Sequence, residues 1–334
     1  DAFNQIKLDK SIRNIRSLGF FSDVKVRNLV GSSEEQTITE LTVEEQSTGE
    51  LSIGLGYSSL EQTSFAFGID ERNFLGTGRS LSLQLDYSQK RSNFRLGVAE
   101  PYIFGRNLIG RAGLFNERVT QDTVSINKTG FDFGISFKAA QDYYHKVGYE
   151  LSQSKTTENS TNASSITGEN GMQTLTSAAS YVVGQDRLNN RFDPSDGTLF
   201  ELRQELAGIG GDAKFYKLTG RAAYYRPVNF NTFILGVKGR ASQVFGLGEK
   251  VTQSQRFFLG GRDLRGFGLG GIGPRDTGSN AAIGGNSLVT GSFEVVSHLG
   301  LSKDLNMRWT VYSDFGSVWD TDYPSGVTGA NDKS

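Results

Sequence analysis

From Leu51 onward the chain alternates apolar and polar residues with a period of two. The segments LSIGLGY, SFAFGI, LSLQLDY and FDFGISF each place their large apolar side chains on one parity and polar residues or glycine on the other. This periodicity predicts antiparallel strands with one apolar face. The segments run for about 8 to 13 residues, whereas strands of soluble proteins average roughly 5 to 6. The length favours a transmembrane β-barrel over a large soluble β-sandwich, the alternative that periodicity alone leaves open.

Composition supports strands and excludes several classes of protein. The chain has 42 glycines, 5 prolines and 11% aromatic residues, and it lacks the run of roughly 18 apolar residues that a transmembrane helix needs. The mean hydropathy of -0.37 is compatible with a barrel, because only alternate residues of each strand face lipid. A net charge of -1 gives no basic surface for nucleic acid, and the absence of cysteine excludes disulfides and thiolate metal sites.

Residues 1–48 differ from the rest of the chain. Ile12, Ile15 and Leu18 have helical spacing, and Gly19 is a typical helix stop. Two short strand patterns follow, SDVKVRNLV and QTITELTVEE. One helix on two strands buries little apolar surface, so we interpret this region as part of a larger α+β module.

The connections between the predicted strands indicate their topology. Short connections such as RNFLGTG and RPVNFN alternate with long polar connections, notably KTTENSTNASSITGENG and the stretch 246–284. Short turns at one end and long loops at the other are typical of an up-and-down outer-membrane barrel. We count about 13 strands between Leu51 and Asp320. Because bacterial single-chain barrels usually have even strand numbers, residues 49–334 are expected to form a barrel that lacks its final strands.

The glycine-rich stretch FFLGGRDLRGFGLGGIGPRD, residues 257–276, contains the most informative side chain, Arg265. A long loop of this composition adopts a single conformation only if contacts anchor it. An arginine side chain can be buried to provide such a contact when carboxylates compensate its charge. Strand parity places Glu294 opposite Phe293 and Asp314 opposite Phe315, so both carboxylates are predicted to face the barrel lumen. The alternative is that Arg265 is an ordinary solvated loop arginine.

The segment GRDLRGF resembles the VRGF/Y-type motif in the sixth extracellular loop of the BamA family, with Leu264 where valine is usual. SIRNIRSLGFFSDVKV and TVEEQSTGELSIGLGYSS are similar to the end of the last periplasmic POTRA domain and the first barrel strand of that family. RNFLGTG, EPYIFG, RFDPSDGT, FYKLTGRAAYYRPV, FFLGG, IGP, GGN and DFGSVWD follow in the family's order and spacing. The resemblance covers essentially the whole chain.

The resemblance implies an all-β fold: a barrel of about 16 strands in full, with about 13 present here, preceded by a partial α+β POTRA domain at residues 1–48. It also implies that the motif Leu264, Arg265, Gly266 and Phe267 enters the lumen and that Arg265 contacts Glu294 and Asp314. The upstream POTRA domains and the last strands of the family pattern are not found in this sequence. The lateral seam between first and last strands is therefore expected to include strands outside this sequence.

The implied function is to fold and insert β-barrel proteins into the bacterial outer membrane, without covalent chemistry, nucleotide or cofactor, and with the POTRA part in the periplasm. The implied partners are unfolded β-barrel clients, accessory outer-membrane lipoproteins, and membrane lipid with lipopolysaccharide. A related two-partner secretion or translocation pore is the alternative function, and a soluble all-β binding protein is a third.

The first barrel strand is the predicted working edge. An unpaired strand edge offers backbone donors and acceptors to another strand, which can add by β-augmentation. Glycines within a strand weaken its packing, although they also fit barrel curvature. The residues expected to form this templating strand are Leu51, Ser52, Ile53, Gly54, Leu55, Gly56 and Tyr57.

Three weaker signals are set aside. Gly266, Gly268 and Gly271 match GxGxxG, but Pro274 follows and no helix is predicted there, which argues against a phosphate site. The two histidines are far apart in sequence, which suggests neither a metal cluster nor a catalytic triad. The acidic segment RFDPSDGT is more typical of a turn than of a calcium site.

Overall fold

The computed structural model describes residues 4–32, 37–121, 124–158, 167–191, 193–228, 233–298, 307–323 and 327–328. One helix, α1 (Gln5–Ser17), precedes a hairpin of two strands, β1 (Phe21–Val30) and β2 (Thr37–Glu45). Gly19 has a φ of +69°, which only glycine adopts without strain, so it ends the helix as predicted. The predicted helix and both predicted strands are therefore confirmed, and their assignment to a POTRA domain stays a prediction.

A single 13-stranded antiparallel sheet follows, in agreement with the predicted strand number. Neighbouring strands in the sheet are neighbours in sequence, apart from the two-residue strand β14 (Arg275–Asp276). That strand pairs instead with β17 (Val327–Thr328). The strands of the large sheet are β3 (Gly49–Ser58), β4 (Gln62–Glu71), β5 (Ser80–Ser88), β6 (Arg91–Glu100), β7 (Ile109–Gln121), β8 (Val124–Lys138), β9 (Tyr143–Glu158), β10 (Gln173–Asp186), β11 (Gly197–Ala207), β12 (Phe215–Val228), β13 (Phe233–Gly246), β15 (Ser287–His298) and β16 (Arg308–Trp319).

The two faces of the sheet differ in polarity, as alternation requires. Large apolar side chains project from one face, here called the outer face, and remain exposed; examples are Leu55, Leu114, Phe133, Phe200 and Phe315. The opposite, inner face carries ion pairs between neighbouring strands, such as Lys128 with Glu150 at 2.6 Å. An apolar outer face and a polar inner face form the pattern expected of a membrane barrel wall.

Strands reach 16 residues in β9, longer than the sequence predicted. The polar residues Lys155–Glu158, assigned above to a long loop, continue the pairing of β9 with β8, where Glu158 lies opposite Val124. Arg226–Val228, assigned to a short connection, likewise lie in β12. Both predictions were wrong because backbone pairing does not require an alternation of apolar and polar side chains; it continues through the polar end of β9 and past Pro227, which lies opposite Ile234. Within those two segments, 159–166 and 229–231 lie outside the described residues.

The turns fall at two ends of the sheet. The turn after β4 contains RNFLGTG and lies at the end from which β3 starts, next to the N-terminal hairpin; the 247–286 connection lies at the opposite end. That opposite end also carries a tight turn between β3 and β4 at residues 59–61, so long loops are not general there. The predicted contrast in length fails for the first three hairpins, because the connections β3–β4, β5–β6 and β7–β8 at that end are only two or three residues long and shorter than the RNFLGTG turn. It is clearest at the 247–286 connection.

The main apolar core lies where the 247–286 connection packs on the sheet. Its buried residues are Ala178, Ala207, Ala213, Phe215, Val244, Val251, Phe257, Leu259, Leu264, Leu288 and Val318. Leu259 and Val318 are completely inaccessible to solvent. Burying a leucine or valine side chain stabilises a fold by roughly 1.5 to 3 kcal/mol, so the loop is held by apolar contacts as well as by charge. No helix within the described residues has the length and apolar character to cross a lipid bilayer.

Candidate functional site

The loop between β13 and β15 folds back against the sheet and is built by close backbone contacts. Phe257 and Gly285 exchange two backbone hydrogen bonds, of 2.8 and 2.9 Å, and Gly261 N–H donates to the Phe267 carbonyl at 2.8 Å. Gly260 has a φ of +130°, and a Cβ built there would lie 1.8 Å from the Gly268 carbonyl oxygen. Only glycine fits that position, so the glycine-rich composition produces a specific shape rather than a flexible loop.

The structure brings Arg265 to both carboxylates that strand parity selected. Its Nε donates to Asp314 Oδ2 at 2.7 Å and its Nη2 to Asp314 Oδ1 at 2.6 Å, which is a bidentate pair. Its backbone N–H donates to the same Oδ2 at 3.0 Å. Nη2 also lies 3.0 Å from Glu294 Oε1. The side chains of Asp314 and Glu294 are 5% and 10% exposed, so the charge of Asp314 depends on Arg265 for compensation and that of Glu294 is compensated by it in part.

Two further side chains that the sequence analysis did not select complete the guanidinium's surroundings. Ser292 Oγ accepts from Nη2 of Arg265 at 2.8 Å, and the Tyr312 ring centroid lies 3.5 Å from the guanidinium carbon. Ser292 is directly opposite Asp314 in the β15–β16 ladder, and Glu294 is directly opposite Tyr312. Parity would have identified both residues, because all four have even numbers on adjacent strands.

The other residues of the motif have distinct environments. Leu264 is 5% exposed and belongs to the apolar core, while Phe267 is 49% exposed. Gly266 has a φ of +92°, a conformation that glycine adopts without strain. Leu264 therefore anchors the tip of the loop next to the ion pair, and Phe267 projects away from the core.

Both charged residues that precede Leu264 also have partners. Asp263 pairs with Arg240 of β13 at 3.0 Å, and Arg262 pairs with Glu61 beside β4 at 3.0 Å. The contact with Glu61 connects the loop to the hairpin of the first strand. Because the Arg262 side chain is 74% exposed, this contact positions the loop more than it stabilises it.

A second arginine of the loop, Arg256, was missed by the sequence analysis. Its side chain is fully buried. Its Nη2 donates to the Val251 carbonyl at 2.6 Å, its Nη1 donates to the Ile283 carbonyl at 3.2 Å, and its guanidinium lies over the Tyr323 ring. This residue directly precedes the sequence FFLGG and has no periodic signal, which explains why it was not found.

Arg256 connects three parts of the chain. Carboxylates of Glu169, before β10, and Asp322, after β16, lie 3.9 and 4.0 Å from its guanidinium. Glu169 Oε2 also accepts the Gln253 backbone N–H at 2.7 Å. Burial raises the pKa of the Glu169 carboxyl above its ordinary value, against the opposing effect of the Gln253 hydrogen bond and the Arg256 charge.

The predicted templating strand lies at one edge of the sheet. Within the described part of the chain β3 pairs with β4 alone, in register from Gly49 opposite Glu71 to Ser58 opposite Gln62. Its outward side chains are strongly exposed, up to 82% for Leu55. The other edge of the sheet is β16.

A cavity of about 1120 Å³ separates the first hairpin from the last strands. Its walls include residues of β3, β12, β13, β15 and β16, together with the loop tip that carries Arg265. The strands contribute three basic side chains to its lining, Arg221, Lys238 and Arg240, and the loop contributes Arg262 and Arg265. Lys238 pairs with Glu294 at 2.8 Å, so Glu294 is shared between the wall and Arg265. No group of histidine and acidic side chains suited to a metal ion occurs among the described residues.

A long up-and-down antiparallel sheet with an apolar outer face, and a loop pinned to its polar inner face, are features of the class of transmembrane β-barrel proteins. Residues 73–333 match the model of the Omp85 superfamily domain. The chain therefore belongs to the Omp85 superfamily.

Curated relatives support this membership. The chain is 29% identical over 326 residues to an outer membrane protein assembly factor BamA of Neorickettsia risticii, covering 96% of this chain and 44% of that protein. It is 24% identical to BamA of Neisseria meningitidis, covering 95% and 43%. It is 25% identical to the sorting and assembly machinery component 50 homolog of Mus musculus, covering 71% and 50%. The chain spans less than half the length of the two BamA relatives.

Solved structures agree on the fold. BamA from Haemophilus ducreyi lacking POTRA domains 1-3 superposes with a TM-score of 0.82 at 23% identity, covering 98% of this chain and 69% of that one. CdiB from Acinetobacter baumannii superposes less well, with a TM-score of 0.57 at 12% identity, covering 94% and 58%. The similarity to BamA in fold is the stronger of the two.

Proposed function

We propose that this protein is an assembly factor that folds and inserts β-barrel proteins into the bacterial outer membrane. The observation that carries the proposal is the sheet edge at β3, whose backbone is unpaired on one side in the described chain while its side chains suit a lipid environment. Unsatisfied backbone groups are costly in hydrocarbon. An incoming client strand satisfies them by adding to the sheet.

The glycines of β3 suit a transient role. Gly54 and Gly56 have no side chain to pack against Ala66 and Ser64, the β4 residues opposite them. A strand with less side-chain packing pairs more weakly. An edge that must accept and later release client strands requires such weak pairing, whereas a permanent barrel wall does not.

The loop has the role of keeping the inner wall in shape while the edge exchanges partners. Arg265 joins the loop tip to β15 and β16, and Arg262 joins it to the β3–β4 hairpin. The loop thus connects both edges of the sheet through one rigid segment. In this proposal it limits how far the edges can separate.

The proposed partners and location follow from the same assignment. The clients are unfolded outer-membrane β-barrel proteins, and accessory lipoproteins, phospholipid and lipopolysaccharide are further partners of the assembly site. The barrel lies in the outer membrane and residues 1–48, as part of a POTRA domain, face the periplasm. The work is non-covalent, so neither a catalytic residue nor a cofactor is assigned. Closure of the barrel, at about 16 strands, is part of the proposal.

Reconstitution tests this function. The intact cellular protein in phospholipid vesicles should accelerate folding of a denatured test β-barrel relative to empty vesicles. Equal folding rates with and without the protein would overturn the proposal.

A secretion pore is the second candidate, favoured by the cavity of about 1120 Å³ and by the similarity in fold to CdiB. Planar-bilayer recordings distinguish the two. A large steady conductance together with no effect on test-barrel folding would indicate the pore, whereas low conductance fits a lumen occupied by the loop.

A further inference from the structure

Two turns at the end of the sheet nearest the N-terminal hairpin display bulky apolar side chains in an unfavourable backbone conformation. Leu75, in the turn between β4 and β5, has a φ of +55°, and Phe104, in the turn between β6 and β7, has a φ of +54°. Their side chains are 83% and 92% exposed. Large non-glycine residues rarely adopt this left-handed conformation.

The two turns are copies of one structure. In each, the residue before the apolar tip donates its N–H to a carbonyl five residues later, Phe74 to Arg79 at 2.8 Å and Ile103 to Leu108 at 3.0 Å. In each, the glycine after the tip donates to a carbonyl three residues earlier, at 2.9 and 3.1 Å. Leu75 and Phe104 therefore occupy equivalent positions in the two turns.

An ion pair connects the two turns. Arg79 Nε donates to Glu100 Oε2 at 2.7 Å, and Glu100 Oε1 accepts the Tyr102 backbone N–H at 3.2 Å. Glu100 thus binds the end of the first turn to the beginning of the second. The two apolar tips project from a shared base.

This arrangement is unfavourable for a surface that faces water. Glycine or asparagine would relieve the backbone strain at both tips, and a polar residue would remove the exposed apolar area. Instead the chain places a leucine and a phenylalanine there, with Arg72 and the exposed Arg106 nearby in the two turns. Apolar tips with arginines beside them suit the boundary between acyl chains and phosphate headgroups.

We propose that Leu75 and Phe104 insert into the phospholipid leaflet at this end of the sheet and hold the membrane against the first strands. The two turns continue the apolar outer face of the sheet, because the strands that lead to them carry Ile69 and Val98, both exposed on that face. This favours lipid over a protein partner. In this proposal Arg72 and Arg106 contact the lipid phosphates. The proposal rests on the sheet spanning a membrane and is independent of the assembly function.

The absence of cysteine allows a direct test. Leu75→Cys and Phe104→Cys are labelled singly with the fluorophore NBD in the intact protein reconstituted into vesicles. Nitroxide lipids, labelled near the headgroup, should quench both probes severalfold more than a probe at Ile6→Cys on α1, and aqueous iodide should quench them less. Ile6 is a matched control because it is an apolar residue, 77% exposed, outside the sheet.

Two other outcomes overturn the proposal. If iodide quenches the probes at positions 75 and 104 as much as the probe at position 6, the turns lie in water. If neither iodide nor nitroxide lipid quenches them, the turns are covered by protein. Leu75→Asn and Phe104→Asn provide a second measurement, because asparagine tolerates the left-handed conformation. The double variant should keep or raise its thermal stability in detergent, because the backbone strain is relieved. The parent protein should be more stable in vesicles than in detergent, and the variant should show a smaller difference. An unchanged gain in vesicles would also overturn the proposal.

Discussion

Arg265 and Asp314 form a bidentate ion pair with nitrogen to oxygen distances of 2.7 and 2.6 Å, reinforced by the Arg265 backbone N–H. The pair joins residues 49 positions apart and fixes the tip of a long glycine-rich loop to the wall of the sheet. Asp314 is almost wholly buried and Glu294 nearly so. The ion pair therefore links loop shape to sheet stability.

Arg265→Ala should destabilise the folded sheet by about 3 kcal/mol, the lower end of the cost of removing one partner of a buried pair, because Arg265 is 30% exposed. Arg265→Lys should recover little, since lysine cannot make the bidentate contact. Heat-modified gel migration measures the stability. Arg262→Ala is the matched control, with an effect below about 1 kcal/mol. Equal effects of the Arg265 and Arg262 variants would show that the ion pair does not hold the loop.

The two carboxylates should differ in importance. Asp314 receives three hydrogen bonds from Arg265, whereas Glu294 shares its charge with Lys238. We expect Asp314→Asn to lower the melting temperature more than Glu294→Gln, measured by intrinsic fluorescence in detergent. The reverse order would mean that Lys238 and Glu294, and not the bidentate pair, hold the loop.

Arg256→Met should loosen the base of the same loop. The substitution leaves the carboxylates of Glu169 and Asp322 without their buried counter-ion, at a cost of roughly 3 to 5 kcal/mol. Limited proteolysis of the folded protein should reveal new cleavage within 247–286. Lys250→Met is a suitable control, because Lys250 also lies over the Tyr323 ring yet has an exposed side chain. Indistinguishable digestion of the two variants would contradict the role of Arg256.

Glu169 should make stability depend on pH. Its pKa in the folded protein is raised above the ordinary 4.5, so the folded state favours the protonated form. The stabilisation from this group is therefore fully present below about pH 4.5 and declines as pH rises through the folded-state pKa. Glu169→Gln removes the titration. The stability of the parent protein minus that of the variant should fall with rising pH; a constant difference would contradict the burial of this carboxyl.

Two glycines of the loop provide a test of its shape. Gly260→Ala should disrupt the loop, because the new Cβ would overlap the Gly268 carbonyl and φ is +130°. Gly268→Ala should be tolerated, since a Cβ at that position would have no atom within 4 Å and its φ is ordinary. Melting temperatures of the two variants compare the effects. Similar values would indicate that the loop shape is not fixed by Gly260.

Much of the fold could be predicted from the sequence because alternation reports directly which face each strand residue occupies. The same parity predicted that Glu294 and Asp314 face the lumen, and the family resemblance implied their contact with Arg265. Arg256 could not be found this way, since it lies in an irregular loop whose contacts depend on three distant segments. The extension of β9 through polar Lys155–Glu158 was missed because backbone pairing between strands does not require the apolar alternation by which strands were predicted. The shared conformation of the Leu75 and Phe104 turns was also beyond prediction, because glycine-like φ values at bulky residues run against local preference.

Crosslinking between β3 and a folding client is the decisive test of whether β3 acts as a template. Single cysteines at Ser52 or Gly54 in the otherwise cysteine-free chain, paired with single cysteines along the client's final strand, should form disulfides in one register during assembly in vesicles. Cysteine at Thr129, in β8 between two paired neighbours, should form none. Register-specific crosslinks confined to β3 are the expected result, and equal crosslinking from β3 and β8 would show that β3 is not the templating edge.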